Sequence, residues 1–203
     1  MAESSLEVSA GSGTKLQTDS RTVGGATVHD QYLLLGQDPR ATYTAIAQNV
    51  SIAVSLDHVL QLMGDGTNYC ELVEVHIYQS DTATAVGTAD IRIYRISTAG
   101  TGGGTVSARP MDAGDTDPYG GGCMTLPTVK GSEGNLLRSF HLGVVAAEPM
   151  NALNSVHWTR PEGTKGPRWG TATSDGLAFK IVSGLASTSV TIEATFRRTS
   201  YLA

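Results

Sequence analysis

The chain has 203 residues, of which only 16% are charged, with 14 Lys and Arg against 19 Asp and Glu and a formal net charge of −5. Phosphate neutralisation needs clustered cations, and the longest basic run is the pair Arg197-Arg198, so we expect no nucleic-acid partner. No stretch approaches 18 apolar residues, so we expect no transmembrane helix and no membrane partner. A chain of this length can form one β-domain whose core needs neither a metal nor a disulfide.

The N-terminal segment differs in composition from the rest. Residues 1–26 are rich in Ser, Thr and Gly and weakly apolar, which predicts a flexible arm that becomes ordered only against a partner. Residues 27–203 form the predicted domain. The first 20 residues lack the apolar core of a signal peptide, so we expect synthesis in the cytoplasm without secretion.

Apolar and polar residues alternate along four segments, which is typical of strands with one buried face. The predicted buried residues of these segments are Val73, Val75 and Ile77; Ala89, Ile91 and Ile93; Leu177, Phe179 and Ile181; and Val190, Ile192, Ala194 and Phe196. Weaker strand candidates are residues 31–35, 41–53, 58–63, 136–145 and 156–159. Turn-forming Gly, Asp and Ser residues separate most of these segments.

No segment has a sustained helical apolar stripe, and eight to ten strands with frequent turns predict an all-β protein. Without crossover helices the strands must be antiparallel. The sequence therefore predicts a single antiparallel β-sandwich or jelly roll.

Residues 100–134 do not fit this pattern. The segment is dense in glycine and contains three prolines, too many for regular strands, and predicts a long glycine-rich loop in the middle of the chain. Long loops inside compact domains are usually functional or mobile. We therefore expect this segment to dock onto another molecule.

Motifs of catalysis and metal binding are scarce, so we expect no enzyme and no cofactor. The five histidines show no metal-ligand spacing, and the chain lacks both a GxSxG elbow and a phosphate-binding P-loop. Asp112, Asp115 and Asp117 are clustered in a loop and could hold Ca²⁺, but they miss the EF-hand spacing and also fit a plain turn. Cys70 and Cys123 are interpreted as free thiols.

Aromatic and arginine side chains concentrate in residues 158–169. Trp and Arg are favoured anchors of protein interfaces, so the candidate interface residues are Trp158, Arg160, Arg168 and Trp169, together with Tyr119. Two alternatives stay open. Trp158 could fill the core while Arg168 stacks on Trp169 at its rim, or the aromatic rings could line a sugar-binding cleft.

Several motifs in residues 55–200 carry a resemblance to a known group of proteins. They are RIYRISTAGTGG at 92–103, WTRP at 158–161, PRW at 167–169 and GLAF at 176–179, followed by a closing alternating strand. In these features the chain resembles the small β-sandwich virion proteins of tailed bacteriophages. The resemblance implies a structural protein of the virion, often associated with the capsid, without catalytic residues.

On this resemblance we expect a capsid decoration (cement) protein, made in the host cytoplasm and located in the virion. Its partners would be the major capsid protein or other virion proteins, and it would form a homo-oligomer, with a trimer favoured. The low charge fits a subunit that is buried against neighbours. The alternatives are a tail, neck or fibre component and a carbohydrate-binding adhesion module.

Overall fold

The computed structural model describes residues 18–23, 26–31, 41–53, 57–81, 83, 86–112, 119–146 and 154–199. It divides the chain into two compact units, Met1–Pro39 and Arg40–Ala203. The first unit contains an antiparallel hairpin of β1 (Thr18–Val23) and β2 (Ala26–Gln31). Residues 1–17 and most of the candidate strand 31–35 lie outside the described residues. The flexible arm and the domain boundary at residue 27 therefore stay predictions.

The described part of the second unit consists of strands and their connections, without a helix. Its strands are β3 (Thr42–Ser51), β4 (His58–Met63), β5 (Tyr69–Gln79), β6 (Gly87–Ile96), β7 (Gly104–Val106), β8 (Arg109–Pro110), β9 (Cys123–Thr125), β10 (Glu133–Val144), β11 (Ser155–Thr159), β12 (Arg168–Trp169), β13 (Gly176–Ser183) and β14 (Ser189–Thr199). The candidate strands 41–53, 58–63, 136–145 and 156–159 are thus confirmed as β3, β4, β10 and β11. No helix that could span a membrane occurs among the described residues.

The strands form two antiparallel sheets. One has the order β11-β5-β14-β3-β8, with β12 also paired to β5, and the other has the order β10-β6-β13-β4-β9-β7. The eight long strands of this unit pair in a nested order along the chain, the first with the last, the second with the second last, and so on. The pairs are β3 with β14, β4 with β13, β5 with β11, and β6 with β10. This order, with its two packed sheets, is that of a jelly roll. The predicted all-β antiparallel architecture is confirmed.

The core lies between the two sheets and follows the predicted alternation. On β14, Val190, Ile192, Ala194 and Phe196 are all buried. The intervening polar side chains make cross-strand hydrogen bonds, for example from the backbone N–H of Asn49 to Thr191 Oγ1 at 3.2 Å and between the hydroxyls of Thr195 and Thr44 at 3.3 Å. Both the faces and the register of this strand are therefore as its sequence predicts.

The predicted burial of Val73 is wrong. A β-bulge interrupts the pairing of β5 with β14, so that Thr195 lies opposite Glu74 while Phe196 lies opposite Leu72. The extra residue at the bulge reverses the alternation. Leu72 is consequently buried in the core with Val75 and Ile77, and Val73 is only half-buried.

The described residues of the segment 100–134 are mostly connections, as predicted, but they also form three short strands that the glycine content did not predict. The segment contains β7, β8 and β9, which extend both sheets. Its glycines allow close backbone contacts: a Cβ on Gly103 would overlap the carbonyl oxygen of Thr125, and one on Gly100 would lie 2.7 Å from Pro127 Cβ and from the Val129 oxygen. Here glycine permits tight packing. Strand β9 of this segment pairs with β4 along its edge, and all six residues of β4 are buried.

Candidate functional site

A buried carboxylate on β5 brings together two of the predicted interface residues. Glu71 has no exposed surface and faces Arg168 of β12 on one side and Arg197 of β14 on the other. Its Oε2 accepts hydrogen bonds from Arg197 Nε at 3.3 Å, Arg197 Nη2 at 3.1 Å and Arg168 Nη2 at 3.4 Å. Its Oε1 accepts the backbone N–H of Gly166 at 2.6 Å and lies 3.9 Å from Arg160 Nη1.

These contacts keep Glu71 ionised. Burial raises the pKa of the carboxyl, but the hydrogen bonds from Gly166, Arg197 and Arg168 outweigh it, so the pKa of Glu71 lies below its usual range. The carboxylate thereby fixes the three guanidinium groups and ties β5, β12 and β14 to the loop at residues 160–167. We call Glu71, Arg160, Arg168 and Arg197 the Glu71 cluster.

Trp169 lies in the core, and Tyr119, which is partly buried, packs against it. Trp169 is 1% exposed, and its ring packs 5.4 Å from that of Phe196. Its Nε1–H donates to the Tyr119 hydroxyl at 3.4 Å, and that hydroxyl donates to the backbone oxygen of Met63. Arg168 and Trp169 point to opposite faces of the sheet, since Arg168 is paired with Glu71 and Trp169 with the core residue Cys70. The alternative in which Trp158 fills the core and Arg168 stacks on Trp169 at the rim does not fit this arrangement, since it is Trp169 that takes the core position.

Trp158 lies at the edge of the core. It is half-buried on β11, opposite the core residue Val75. The Arg138 guanidinium of β10 lies 4.3 Å from the Trp158 ring centroid, so a cation–π contact joins edge strands of the two sheets. With Trp169 buried, Tyr119 packed against the core and Trp158 covered by Arg138, the three rings do not form an open sugar-binding platform.

The outer face of the sheet that contains β5, β11 and β14 carries a row of polar side chains, which their spacing in the sequence did not reveal. His157 of β11 lies opposite His76 of β5, and their ring centroids are 5.5 Å apart. His157 Nε2 is 2.5 Å from Glu74 Oε1, and the Tyr78 hydroxyl donates to Glu193 Oε1 at 3.0 Å. This row depends on cross-strand register, which brings together residues 83 positions apart (Glu74 and His157) and 115 positions apart (Tyr78 and Glu193). Within the described ranges no group of three or more His, Cys, Asp or Glu residues is arranged to hold a metal ion.

The two cysteines are free and buried. Burial raises the pKa of both Cys70 and Cys123 to about 12, so the thiols stay protonated at neutral pH and are poor nucleophiles. Of the acidic residues considered for Ca²⁺, Asp115 and Asp117 lie outside the described residues.

Exposed apolar side chains occur in the glycine-rich segment, residues 100–134. Among the described residues, Met111, Leu126 and Val129 of this segment are large apolar side chains with substantial exposure, 62% in the case of Val129. Leu126 has a φ of 44°, in the left-handed region that β-carbon-bearing residues rarely adopt. The tight glycine packing thus presents apolar groups to solvent on a fixed backbone. No protein-family model and no curated protein sequence matches the chain.

Proposed function

We propose that this protein is a non-enzymatic structural protein of a tailed-bacteriophage virion, namely a capsid decoration protein that binds and stabilises the major capsid shell. The jelly-roll order of its strands supports the proposal, because this architecture is common in viral capsid proteins. The fold also occurs in lectins, so the function must be argued from the surface.

The observation that carries the proposal is the packed glycine-rich segment with its exposed Leu126 and Val129. Association is weakened when flexible loops must be ordered at the interface. Here the short strands β7 to β9 and the buried Gly100 and Gly131 already fix the backbone. A partner can therefore bury the apolar side chains without that entropic cost.

The test compares two matched valine variants. Val129 lies in the proposed contact segment. Val86, which is 73% exposed, lies just before β6 and outside that segment. The backbone of Val129 is bonded to Thr101 in both directions, so a side-chain change leaves these bonds in place. Purified Val129→Asp and Val86→Asp proteins would be mixed with particles lacking the protein, and bound copies would be counted after sedimentation.

We expect Val129→Asp to bind at least about 30-fold more weakly, the equivalent of losing a hot-spot contact of about 2 kcal/mol. Val86→Asp should bind like the parent. Equal binding by both variants would place the contact surface elsewhere. A low copy number per particle would favour a tail, neck or fibre component, and a parent that binds a glycan but no particle would favour the adhesion module.

The predicted arm has its own test. Residues 1–20 should be cut readily by protease in the free protein and protected on the particle, because they lack the apolar content to fold alone. Equal sensitivity in both states would contradict docking of the arm.

A further inference from the structure

A continuous network of hydrogen bonds links Glu133, at the start of β10, to Gly100 through two side chains of β4. His58 Nε2 lies 3.1 Å from Glu133 Oε1, Gln61 Nε2 lies 2.7 Å from His58 Nδ1, and Gln61 Oε1 accepts the backbone N–H of Gly100 at 2.8 Å. Residues three apart in a strand normally face opposite sides. A β-bulge between His58 and Leu60, in the pairing with β13, places His58 and Gln61 together.

The hydrogen-bond partners in this network fix the protonation state of His58. The Gly100 N–H can only donate, so the Gln61 oxygen must face it and the Gln61 NH₂ must face His58. His58 Nδ1 therefore accepts a hydrogen bond and carries no hydrogen. The carboxylate of Glu133 accepts from Nε2–H. The network accordingly assigns neutral His58 in the Nε2–H tautomer.

A second proton on His58 cannot be accommodated by rotating Gln61. Protonated Nδ1 would oppose the Gln61 NH₂, donor against donor. If the amide flips, its oxygen accepts from Nδ1–H, but its NH₂ then opposes the N–H of Gly100. Each orientation leaves two donors facing each other at a fully buried site, which is costly. Pro127 and Val129 pack closely on Gly100, since a Cβ at this residue would lie 2.7 Å from Pro127 Cβ and from the Val129 oxygen.

We propose that His58 is an acid-sensitive latch, whose protonation releases the turn at residues 100–104 from β4. This inference is independent of the proposed virion function. It gives a defined trigger for moving the glycine-rich segment that presents Leu126 and Val129.

The charged groups around His58 set the pH range of the latch. Glu133 on β10 favours protonation, whereas Lys180 on β13 and Lys130, just before β10, oppose it. Lys180 Nζ contacts both oxygens of Glu133, at 2.8 and 2.7 Å. Burial is the largest effect and, with the two lysines, lowers the pKa of His58 below its usual 6.5. The pKa of Glu133 is itself lowered, because the bonds from Lys180 and His58 outweigh its burial.

The sign of the effect follows from this shift. A histidine with a lowered folded-state pKa contributes its full stability above about pH 6.5 and loses it as the pH falls toward the folded value. Over that interval the equilibrium constant for release should rise by up to about tenfold per pH unit. The latch is therefore closed at neutral pH and loses stability as the pH falls below about 6.5.

NMR of the full-length protein tests the proposal. At pH 8 the ring nitrogens of His58 should report the Nε2–H tautomer, and from pH 8 to pH 5 the Gly100 amide signal should shift with the same midpoint as His58. His58→Gln supplies a donor and an acceptor without a titrating group, so its Gly100 signal should not respond to pH. His76→Gln, on the other sheet, is the matched control and should respond like the parent.

Three results would overturn the latch: the other tautomer at pH 8, a Gly100 signal unaffected while His58 titrates, or an unchanged response in His58→Gln. Should His58→Gln fail to fold, Gln61→Glu gives a second test. Its carboxylate can accept from both Nδ1–H and Gly100, so it should raise the His58 pKa and keep Gly100 protected from hydrogen exchange at pH 5. Loss of that protection would contradict the proposal.

Discussion

Phe196 is the central contact of an aromatic cluster, and its removal should destabilise the protein strongly. Its ring centroid lies 4.8 Å from that of Tyr119, 5.4 Å from Trp169 and 5.7 Å from Tyr43. Removal of a buried Phe side chain usually costs about 3–5 kcal/mol, and the cost rises when the site cannot collapse. The neighbouring rings come from three different segments, and hydrogen bonds hold two of them, Tyr119 and Trp169. We therefore expect Phe196→Ala to lose about 4–5 kcal/mol.

Urea unfolding followed by tryptophan fluorescence measures this loss, with Trp169 as a reporter next to the cavity. Phe196→Leu refills most of the volume and should cost less than about 2 kcal/mol. Glu193→Ala removes an outward-facing partner of Tyr78 and should cost about 1 kcal/mol or less. Equal losses for Phe196→Ala and Glu193→Ala would mean that the faces of β14 are assigned wrongly, and a loss below about 2 kcal/mol for Phe196→Ala would show that the cluster collapses into the space.

Three further predictions concern other parts of the protein. Glu71→Gln should reduce the free energy of unfolding at pH 7 by about 3 kcal/mol, near the lower limit for breaking a buried ion pair because the arginines can turn toward water. Because folding lowers the pKa of Glu71, its contribution to the free energy of unfolding is complete above about pH 4.3 and is lost at lower pH. The Glu71→Gln variant should therefore show a smaller change in stability on acidification, measured by urea unfolding at several pH values. Gly103→Ala should lower the melting temperature because its Cβ would overlap a backbone carbonyl, whereas Gly122→Ala, with nothing within 4 Å, should melt like the parent. Cys70 and Cys123 should not react with a thiol reagent at pH 8 unless the protein is unfolded, and rapid labelling of the native protein would contradict their burial.

The alternation of side chains predicted the long strands well because each signal is local. Val190 to Phe196 follow a period of two, and the structure buries the expected face. The same rule failed at Val73, since a bulge adds one residue in a way that the alternation itself does not reveal. Glycine content was misleading for a related reason. Composition indicates that a backbone can adopt unusual shapes, but whether neighbours fill the space around Gly100 depends on tertiary packing.

The contacts of the candidate site were beyond sequence analysis because they depend on cross-strand register. Arg160 and Arg168 were selected as interface residues, but nothing local connects them to Glu71, about 90 positions earlier in the chain. The link appears only when β5 lies between β12 and β14. His58 and Gln61 were missed as a pair because their spacing in a regular strand places them on opposite faces.

The pairing of the first long strand of the jelly roll with the last has a consequence for biosynthesis. Thr42 lies opposite Arg197, so the hydrogen-bonding partner of β3 is synthesised 155 residues after β3 itself. Contacts between residues so distant in sequence make folding slow. The sheet cannot close while β14 is still inside the ribosome, and until then the edge of β3 and the apolar faces of β4 and β5 are exposed. Translation that stops shortly before Ser189 should therefore yield an aggregation-prone chain, even though the other seven long strands of the jelly roll have been made.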